Sequence, residues 1–418
     1  EIEYAGRKTV LTDKVLFQNK NMPDFTIGAE VCEDLWVAES PSIALAKSGA
    51  TVICNPSTSD DTIGKAEYRR SLVRMQSGKL CCAYIYTDSG FGESTTDTVY
   101  SAQNIICENA SLLSESERFT TGITYADIDV QKLMGERRRM STFCSDNENI
   151  RRIYFDMPLT DTKLSRKFEQ TPFVPSAKDD LSRRCKEIIT MQATGLATRL
   201  AHTGIKNVVL GLSGGLDSTL ALIVCVHAFD MLGIDRKNIH TVTMPCFGTT
   251  KRTKSNAEKL AEAYNVSFEE INITAAVRQH FIDIKHDESV TDITYENSQA
   301  RERTKILMNL SNKYGGLVIG TGDLSELALG WATYNGDHMS MYAVNVSIPK
   351  TLVRYLTAYE AEISDGELKT VLLDVLDTPV SPELLPPDKN GEIAQKTEDV
   401  VGPYELHDFF LYYFVRFG

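Results

Sequence analysis

The sequence around the middle of the chain reads Val208-Val209-Leu210-Gly211-Leu212-Ser213-Gly214-Gly215-Leu216-Asp217-Ser218, and an apolar stretch follows at 219–229. This pattern predicts a buried strand, a glycine turn and the start of a helix. The first backbone N–H groups of a helix have no partners within it, and the helix dipole adds positive potential there. The turn is therefore suited to phosphate oxygens, and Asp217 can hold or orient a bound cation.

The turn contains neither of the common nucleotide-binding sequences, G-x-x-x-x-G-K-[ST] and G-x-G-x-x-G. Its order, S-G-G-L-D-S, resembles the pyrophosphate loop of the ATP pyrophosphatases. That resemblance implies cleavage of ATP between the α and β phosphates, adenylation of a carboxylate or carbonyl oxygen, and displacement of AMP by a nitrogen or sulfur nucleophile. The plain alternative is an ordinary turn with two glycines, and the serines, the aspartate and the flanking pattern argue against it.

Strands and helices alternate after this turn. Strands are predicted at 208–212, 239–244, 267–271 and 317–320, and helical patterns lie between them. The order predicts a doubly wound parallel sheet, in which ligands bind beyond the carboxyl ends of the strands. The S-G-G-L-D-S turn, Met244-Pro245 and Gly320-Thr321-Gly322-Asp323 all follow predicted strands, so we expect them to converge.

Composition limits the classes of partner. The chain has 418 residues, of which 42% are hydrophobic and 24% charged, and its net charge is −13. These values predict about two to three globular domains. The acidic balance argues against nonspecific binding to nucleic acid or an anionic membrane, because such binders need a basic face.

Cysteine usage and the chain ends give further expectations. The nine cysteines are an odd number without any C-x-x-C pair, which favours a reduced, cytoplasmic setting over a disulfide framework. No apolar run approaches the roughly 20 residues of a membrane helix, and no signal peptide is visible. Because the sequence begins at Glu1 and stops at Gly418 directly after an apolar run, we expect a fragment of a longer protein.

The region up to about residue 150 predicts a mixed α/β layer. Strand candidates lie at 25–31, 51–54, 80–86 and 104–107, with a helix near 66–78. Cys32 ends the first of these strands beside Glu33 and Asp34. A positioned, exposed thiol is what nucleophilic catalysis needs, although a lone cysteine is more often buried and inert.

The sequence around Cys32 resembles the second half of a nitrilase-type glutamine amidase, the version fused to glutamine-dependent NAD synthetase. The matching segments are Gly28-x-Glu30-x-Cys32-Glu33-Asp34-x-Trp36, Asn55-Pro56-Ser57-x-Ser59, Ile63-Gly64-Lys65, Tyr68-Arg69-Arg70 and Gly92-Glu93-Ser94-Thr95-Thr96-Asp97. That family uses a Glu–Lys–Cys triad in which the cysteine is acylated by glutamine and ammonia is released.

The resemblance assigns roles residue by residue in this region. Cys32 matches the nucleophile, and the family's glutamate and lysine are expected upstream of residue 1. Glu33, Ser59 and Lys65 match positions that hold glutamine. For Lys65 a solvated surface charge is the alternative. We expect the C-terminal part of a nitrilase-like α/β sandwich at 1–150, a proline-containing linker at 151–177, and an ATP pyrophosphatase domain at 178–418.

Two further segments resemble the NAD synthetase family. They are Glu296-Asn297-Ser298-Gln299-Ala300-Arg301-x-Arg303, and the uninterrupted stretch from Gly320 to Tyr334. The resemblance implies that ATP contacts Gly211, Leu212, Ser213, Gly214, Gly215, Leu216, Asp217, Ser218 and Thr321. It implies that nicotinic acid adenine dinucleotide contacts Asn297, Glu326, Trp331, Ala332, Thr333 and Tyr334. For Trp331 and Tyr334, core packing is the alternative.

Two substrates that each bring phosphates need counter-charge. We expect Mg²⁺ with ATP, and Asp217 and Glu326 as its neighbours, although an acidic residue at a helix start can equally be a cap. The local cations are Arg301, Arg303, Lys305 and Lys350. Lys350 either binds the leaving pyrophosphate or is a solvated lysine at a helix end.

The resemblance implies a ligase that amidates nicotinic acid adenine dinucleotide to NAD. ATP would adenylate the carboxylate, ammonia from glutamine hydrolysis would attack it, and AMP, pyrophosphate and glutamate would be released. The expected partners are these small molecules, in a homo-oligomer, without nucleic acid or membrane. The alternatives are another ATP-pyrophosphatase amidotransferase, such as one acting on xanthosine monophosphate or aspartate, and a non-catalytic nucleotide-binding module.

Segments 381–384 and 395–399 also resemble the family and are expected to close over the site.

Overall fold

A computed structural model describes residues 1–145, 150–175, 178–249, 251–336, 338–378, 384–385 and 397–417. Of the segments expected to close over the site, residues 381–383 and 395–396 lie outside this set, as do 176–177 at the end of the expected linker. The chain divides into two compact units, Glu1–Phe168 and Glu169–Arg416.

The first unit is an α/β layer. Its strands are β1 (Ile2–Tyr4), β2 (Arg7–Thr9), β3 (Val15–Asn19), β4 (Thr26–Ala29), β5 (Val52–Ser57), β6 (Ala83–Asp88), β7 (Ile105–Glu108), β8 (Ser111–Glu115) and β9 (Arg151–Phe155). Its helices are α1 (Pro41–Lys47), α2 (Lys65–Leu80) and α3 (Val130–Arg139). A short 3₁₀ helix, Cys32–Leu35, follows β4.

Seven of these strands form one sheet in the order β8-β7-β6-β5-β4-β3-β9, and β1 pairs with β2 separately. The adjacent strands β4, β5 and β6 are parallel, as expected for strands joined through helices. Helix α2 packs on this sheet through a buried face at helical spacing, and Ile53, Tyr84 and Val73 are fully buried in the core between them. Strand β4, which leads into the Cys32 segment, thus lies inside this sheet between β5 and β3.

Strand β9 lies in the segment that the sequence predicts as a linker. Arg151–Phe155 pairs in parallel with β3 at the edge of the sheet, and each of its residues is exposed or only half-buried. An edge strand needs no continuous apolar run, because water satisfies one side of it. The polar sequence of this segment therefore gave no strand signal.

The second unit contains the remaining elements. Its strands are β10 (Val208–Gly211), β11 (Ile239–Thr243), β12 (Ser267–Glu270), β13 (Leu317–Gly320) and β14 (Tyr342–Ala343). Its helices are α4 (Lys178–Thr203), α5 (Leu216–Leu232), α6 (Lys251–Ala263), α7 (Thr274–Ile284), α8 (Ile293–Tyr314), α9 (Leu324–Leu329), α10 (Lys350–Ile363), α11 (Gly366–Leu376), α12 (Thr397–Val401) and α13 (Tyr404–Phe410). A 3₁₀ turn, Arg236–Asn238, precedes β11, and a π-helical turn, Leu411–Val415, follows α13.

The five strands of this unit form a sheet in the order β12-β11-β10-β13-β14, and every neighbouring pair is parallel. This confirms the predicted α/β class and the doubly wound parallel sheet. The strand order reverses at β10, which has β11 on one side and β13 on the other. A crevice for ligands forms at such a reversal, beyond the carboxyl end of the central strand.

Helix α5 is the most buried helix of the second unit. Its residues from Leu220 to Val226 are all buried, because α4 and α10 pack against it as well as the sheet. A helix that is apolar on all sides needs such enclosure. None of the described helices is both long and apolar enough to cross a bilayer.

Candidate functional site

The S-G-G-L-D-S turn connects β10 to α5 and is held by its own serines. The Ser213 hydroxyl accepts a hydrogen bond from the Gly215 N–H at 3.1 Å and lies 3.0 Å from the Ser218 hydroxyl. The Ser218 hydroxyl donates to the Gly215 carbonyl at 3.1 Å. These bonds fix the turn before any ligand binds. Of the residues predicted to contact ATP here, Leu212 and Leu216 have buried side chains, so only their backbone can face a ligand.

Gly214 is required by the close packing of this turn. Its φ is +84°, a region that favours glycine, and a Cβ atom there would lie 2.1 Å from the Thr253 carbonyl oxygen. The turn therefore lies directly against the first residues of α6. A side chain at this position would displace backbone and not merely another side chain.

Three carboxylates converge beyond the ends of β10 and β13. Asp217 lies in the first turn of α5, Asp323 is the N-cap of α9, and Glu326 is its third residue. One carboxylate oxygen from each lies within 4.8 Å of the others. Asp323 and Glu326 also form a capping box, in which the Asp323 carboxylate accepts from the Glu326 N–H at 2.8 Å. Of the three turns expected to converge, the S-G-G-L-D-S turn and the turn after β13 thus meet in this cluster, and Asp323 is a member that the motifs did not indicate.

The Lys350 ammonium lies among these three carboxylates. Its Nζ atom is 2.8 Å from Asp217 Oδ2, 2.7 Å from Asp323 Oδ2 and 2.9 Å from Glu326 Oε1. The side chain is only 4% exposed. Lys350 is therefore not the solvated helix-end lysine that the sequence allowed, because its burial is matched by three ion pairs.

Charge in this cluster is unbalanced, with three carboxylates for one ammonium. Burial, together with repulsion from Asp217, raises the pKa of Glu326 to about 8. Burial likewise raises the pKa of Asp323 to about 6, although Lys350 opposes the shift. Burial disfavours the charged form of Lys350, but the surrounding carboxylates outweigh it and raise its pKa well above the usual value. The cluster thus keeps a protonated lysine and still favours a further cation.

The donor atoms present fit Mg²⁺. Asp217 Oδ1 is buried, and among the described residues it has no hydrogen-bond partner. Carboxylate oxygens are the ligands that this ion prefers. Of the two predicted neighbours, Asp217 thus offers an unpartnered oxygen, whereas Glu326 is engaged by Lys350 at Oε1 and by the Asp323 N–H at Oε2.

Asn345 links the two turns and was not found from the sequence. Its side-chain amide donates to the Asp217 carbonyl at 3.0 Å and to the Thr321 carbonyl at 3.1 Å. Asn345 is fully buried. The one hint in the sequence is a polar residue between Val344 and Val346, which alone cannot indicate its partners. Thr321, predicted to contact ATP, is thereby fixed beside the first turn of α5.

The residues predicted to contact the dinucleotide are only partly brought together. Glu326 belongs to the carboxylate cluster, and its carbonyl accepts from the Trp331 N–H at 2.9 Å. The segment Trp331, Ala332, Thr333 and Tyr334 continues from α9, and the Tyr334 carbonyl accepts from Arg301 Nε at 3.1 Å. Tyr334 is 73% exposed, so core packing does not explain it, whereas Trp331 is half-buried. Asn297 is half-buried on α8, one helical turn before Arg301, and makes none of these hydrogen bonds.

Cys32 in the first unit occupies a strained elbow. Its φ is +51°, which is rare for a residue other than glycine and is often found at functional sites. Its N–H donates to Asn55 Oδ1 at 2.9 Å, and its carbonyl accepts from Asn55 Nδ2 at 3.4 Å. Asn55 therefore holds the backbone of Cys32 from both sides.

The thiol of Cys32 faces a carbonyl, and no charged group is hydrogen-bonded to it within the described segments. Its sulfur lies 3.9 Å from the Thr58 carbonyl oxygen. The nearby Glu30 is buried and accepts hydrogen bonds from the Tyr84 hydroxyl and from the Ser42 N–H, the latter at 2.7 Å. Glu30 is thus already engaged by these two donors.

Ser59 and Lys65, two of the predicted glutamine-binding residues, lie near the Cys32 elbow. Ser59 follows Thr58 directly, its N–H donates to Asp88 at 2.9 Å, and its hydroxyl accepts from Arg69 at 3.1 Å. Lys65 donates to the Asp60 carboxylate at 2.8 Å and lies 5.6 Å from the centre of the Trp36 ring. Its side chain is 23% exposed, so it is not a freely solvated charge.

Glu33, the third predicted glutamine-binding residue, points into solvent from the 3₁₀ helix that starts at Cys32. Arg69, a member of the Tyr68-Arg69-Arg70 motif, is fully buried and donates to Gln103 at 2.5 Å as well as to Ser59. Its position could not be inferred from the sequence, because arginine is rarely buried.

Comparison with known proteins gives a consistent family. The NAD synthase family model matches residues 188–414. The glutamine-dependent NAD(+) synthetase of Mycobacterium tuberculosis is 44% identical over 438 residues, covering 100% of this chain and 64% of its own length. The Mycobacterium leprae protein of the same name is also 44% identical, covering 97% of this chain and 62% of its own.

Solved structures include a glutamine-dependent NAD+ synthetase from Acinetobacter baumannii with adenosine diphosphate, at 24% identity and a TM-score of 0.43. It covers 86% of this chain and 60% of its own. The chain thus spans less than two thirds of the length of the curated relatives it matches. Because the family model matches more than half of the sequence, this chain belongs to the NAD synthase family.

Proposed function

We propose that this chain amidates nicotinic acid adenine dinucleotide to NAD, using ATP to adenylate the carboxylate and ammonia released from glutamine. The observation that supports this best is the cluster of Asp217, Asp323, Glu326 and Lys350 beside the S-G-G-L-D-S turn. It combines a phosphate-binding turn with excess negative charge in a crevice at the reversal of a parallel sheet.

The turn residues bind the phosphates of ATP in this proposal. The free N–H groups at the start of α5 and the exposed Ser213 hydroxyl face the ligand, and Gly214 allows the backbone to approach it. Asp217 and Glu326 would hold Mg²⁺, which when bound neutralises phosphate charge. Thr321 contacts the nucleotide from the end of β13.

Lys350 supplies the fixed positive charge of the site. Its ammonium stays protonated at neutral pH, because the surrounding carboxylates raise its pKa. As AMP is transferred to the nicotinate carboxylate, negative charge accumulates on the departing pyrophosphate. A preorganised ammonium at that point stabilises this charge without reorganisation.

The dinucleotide binds next to this cluster. We assign Asn297, Glu326 and the segment 331–334 to it, and the exposed aromatic ring of Tyr334 is available to contact a ring of the ligand. The nitrogen nucleophile attacks the adenylated carboxyl carbon, the C–O bond to AMP breaks, and the amide forms.

Ammonia comes from glutamine at Cys32. The Cys32 sulfur attacks the carboxamide carbon of glutamine, ammonia leaves, and water later releases glutamate from the thioester. Glu33, Ser59 and Lys65 hold the glutamine. In the family, a glutamate acts as the base and a lysine stabilises the oxyanion, and no residue of this chain is matched to either.

All nine cysteines are free, which supports a cytoplasmic enzyme. A homo-oligomer stays a prediction from the resemblance.

The test is a substrate panel with the natural full-length protein that carries this sequence. ATP, Mg²⁺ and ammonium are supplied with nicotinic acid adenine dinucleotide, nicotinic acid mononucleotide, xanthosine monophosphate or aspartate, and AMP is measured. The proposal expects AMP with the first acceptor at the highest kcat/KM. Preference for another acceptor would indicate another amidotransferase of the class. No AMP with any acceptor, but tight binding of ATP, would indicate a non-catalytic nucleotide-binding module.

A further inference from the structure

Lys350 stands at an unfavourable place for a lysine. It is the first residue of α10, where the helix dipole is positive, and the preceding N-cap is Pro349, which has no side chain to cap the helix. A positive charge at this end of a helix is disfavoured, and the first N–H groups need partners from elsewhere. Other parts of the chain must therefore compensate.

The compensation comes from two other helices. The Lys350 N–H donates to the Ser325 hydroxyl of α9 at 2.9 Å, and the Thr351 N–H donates to Asp408 Oδ2 of α13 at 2.9 Å. The Thr351 hydroxyl donates to the same oxygen at 2.6 Å. The Ser325 hydroxyl, in turn, donates to Asp408 Oδ1. The Asp408 carboxylate thus accepts from the Thr351 N–H at the start of α10. It also accepts from the Ser325 hydroxyl, which in turn accepts from the Lys350 N–H.

Asp408 is placed so that its charge acts on this helix end. It is 1% exposed, and both of its oxygens are used by Ser325 and Thr351. A negative charge at the N-terminus of a helix is stabilising, which offsets the cost of the Lys350 ammonium there. The neighbouring Tyr404, one turn earlier on α13, has its ring centre 5.4 Å from Lys350 Nζ. Helix α13 therefore contacts the Lys350 ammonium through the Tyr404 ring and supports the Lys350 N–H by way of Ser325.

We infer that Asp408 is a positioning residue for Lys350: through Ser325 and Thr351 it fixes the first turn of α10 against α9, and so aims the ammonium between Asp217, Asp323 and Glu326. This inference rests on the proposed function, because the ammonium is assigned there to the departing pyrophosphate. Asp408 itself touches no reacting atom.

The hydrogen-bond pattern predicts that asparagine replaces Asp408 poorly. The Ser325 hydroxyl accepts from the Lys350 N–H and donates to Asp408 Oδ1. Asparagine would present an N–H₂ group to one of the two partners, so either the Ser325 hydroxyl or the Thr351 N–H and hydroxyl would lose the oxygen to which they donate. The negative charge at the helix end would be lost as well.

The experiment uses the natural full-length protein with ATP, Mg²⁺, ammonium and nicotinic acid adenine dinucleotide, and measures AMP release. Asp408→Asn should lower kcat about 10- to 100-fold, the usual size for a partner that orients a reacting group, with KM for the dinucleotide unchanged. Glu405→Gln is the matched control, since it removes the same charge from an exposed residue of the same helix and should leave kcat unchanged.

A second pair of variants tests the same role with Asp408 unchanged. Thr351→Ser retains the hydroxyl that bonds to Asp408 and should keep a higher kcat than Thr351→Val, which removes it. If Asp408→Asn fails to fold, this pair decides. If Asp408 and Thr351 only stabilised the fold, Thr351→Val would yield less folded protein. The folded protein would then have the same kcat in Thr351→Ser and Thr351→Val.

The outcomes separate the inference from the proposed function. AMP release by Asp217→Ala at the normal rate would contradict the proposed function itself. If Asp217→Ala is inactive while Asp408→Asn has the kcat of Glu405→Gln, the proposed function stands and the positioning role of Asp408 is overturned. Equal kcat values for Thr351→Ser and Thr351→Val would overturn it in the same way.

Discussion

The two units hold their candidate reactive groups by different physical means. In the first unit Cys32 sits in a strained backbone conformation, and the neutral amide of Asn55 holds it there. In the second unit the groups of the site are held by charge, with the Lys350 ammonium between Asp217 and its neighbours. The Cys32 site thus contains a strained backbone, and the Lys350 site contains a buried excess of negative charge.

This difference predicts how each site responds to change. A site held by neutral hydrogen bonds should lose a modest amount of stability when one bond is removed, and should be insensitive to pH. A site held by buried charge should lose much more when its central ion is removed, because the remaining like charges then repel each other without compensation. The following predictions test this contrast, from the largest expected effect to the smallest.

Lys350→Met should produce the largest loss of stability. Removing the buried ammonium leaves the carboxyl groups of Asp217, Asp323 and Glu326 within 4.8 Å of one another without a counter-charge, and breaking such a buried ion pair costs about 3–5 kcal/mol. The free energy of urea unfolding measures it. Lys305→Met is the control, because the Lys305 side chain is 61% exposed and pairs with Glu302 at the surface. Similar losses for both variants would contradict the account of a charge-held site.

Gly214→Ala should produce the next largest loss of stability. A residue other than glycine at a left-handed φ costs about 1–2 kcal/mol, and overpacking against the Thr253 carbonyl adds another ~1–3 kcal/mol. Gly233→Ala is a matched control in the same unit, since its φ is +63° and a Cβ atom there meets nothing within 4 Å. Urea unfolding should show only the first of these costs for Gly233→Ala. Equal losses would mean that the turn can move away from α6.

Asn55→Ala tests the site held by neutral bonds. It removes the side chain that bonds to both the N–H and the carbonyl of Cys32, and an unsatisfied buried group costs about 1–3 kcal/mol. We expect this loss to be the same at pH 6 and pH 8. Asn21→Ala, which changes an exposed amide, should lie within about 0.5 kcal/mol of the unchanged protein. A loss for Asn55→Ala as large as that of Lys350→Met would remove the contrast between the units.

A small, pH-dependent effect is expected at His227 on α5. Its hydrogen bond to Glu360, 3.2 Å long, raises the pKa of His227. Because the folded pKa lies above the unfolded value of about 6.5, the stabilisation is complete below that value and is lost as pH rises through the folded pKa.

The melting temperature of His227→Gln should therefore fall further below that of the unchanged protein at pH 6 than at pH 8.5. Exposed His280→Gln serves as the control and should show no such difference. An equal gap at both pH values would mean that the charged pair does not contribute.

The sequence predicted the sheets where strands are buried. β10 is a buried apolar run, and the strand predicted at 51–54 covers only the apolar first half of β5, which continues through Asn55, Pro56 and Ser57. It gave no sign of β1 or β2, whose residues are all exposed, nor of the two-residue β14. Exposed strands need no apolar pattern, because their side chains face water and water can hydrogen-bond to their unpaired backbone groups.

The sequence indicated those site residues that lie within continuous motifs. Asp217 and Glu326 each stand in a recognisable segment. Lys350 could be named but not placed, since its burial depends on α9 and α13 packing over it. Asp408 lies 57 residues beyond Thr351, its partner, and nothing local to it distinguishes it from a surface aspartate.

The most direct test of the two-site account crosses two variants with two nitrogen sources in the natural full-length protein. Cys32→Ala should lose NAD synthesis from glutamine and keep synthesis from ammonium, whereas Asp217→Ala should lose AMP formation with both. Thermal melting checks that each variant is folded. Loss of both activities in folded Cys32→Ala, or AMP release by Asp217→Ala at the normal rate, would contradict the assignment of ammonia release to Cys32 and of adenylation to the Asp217 cluster.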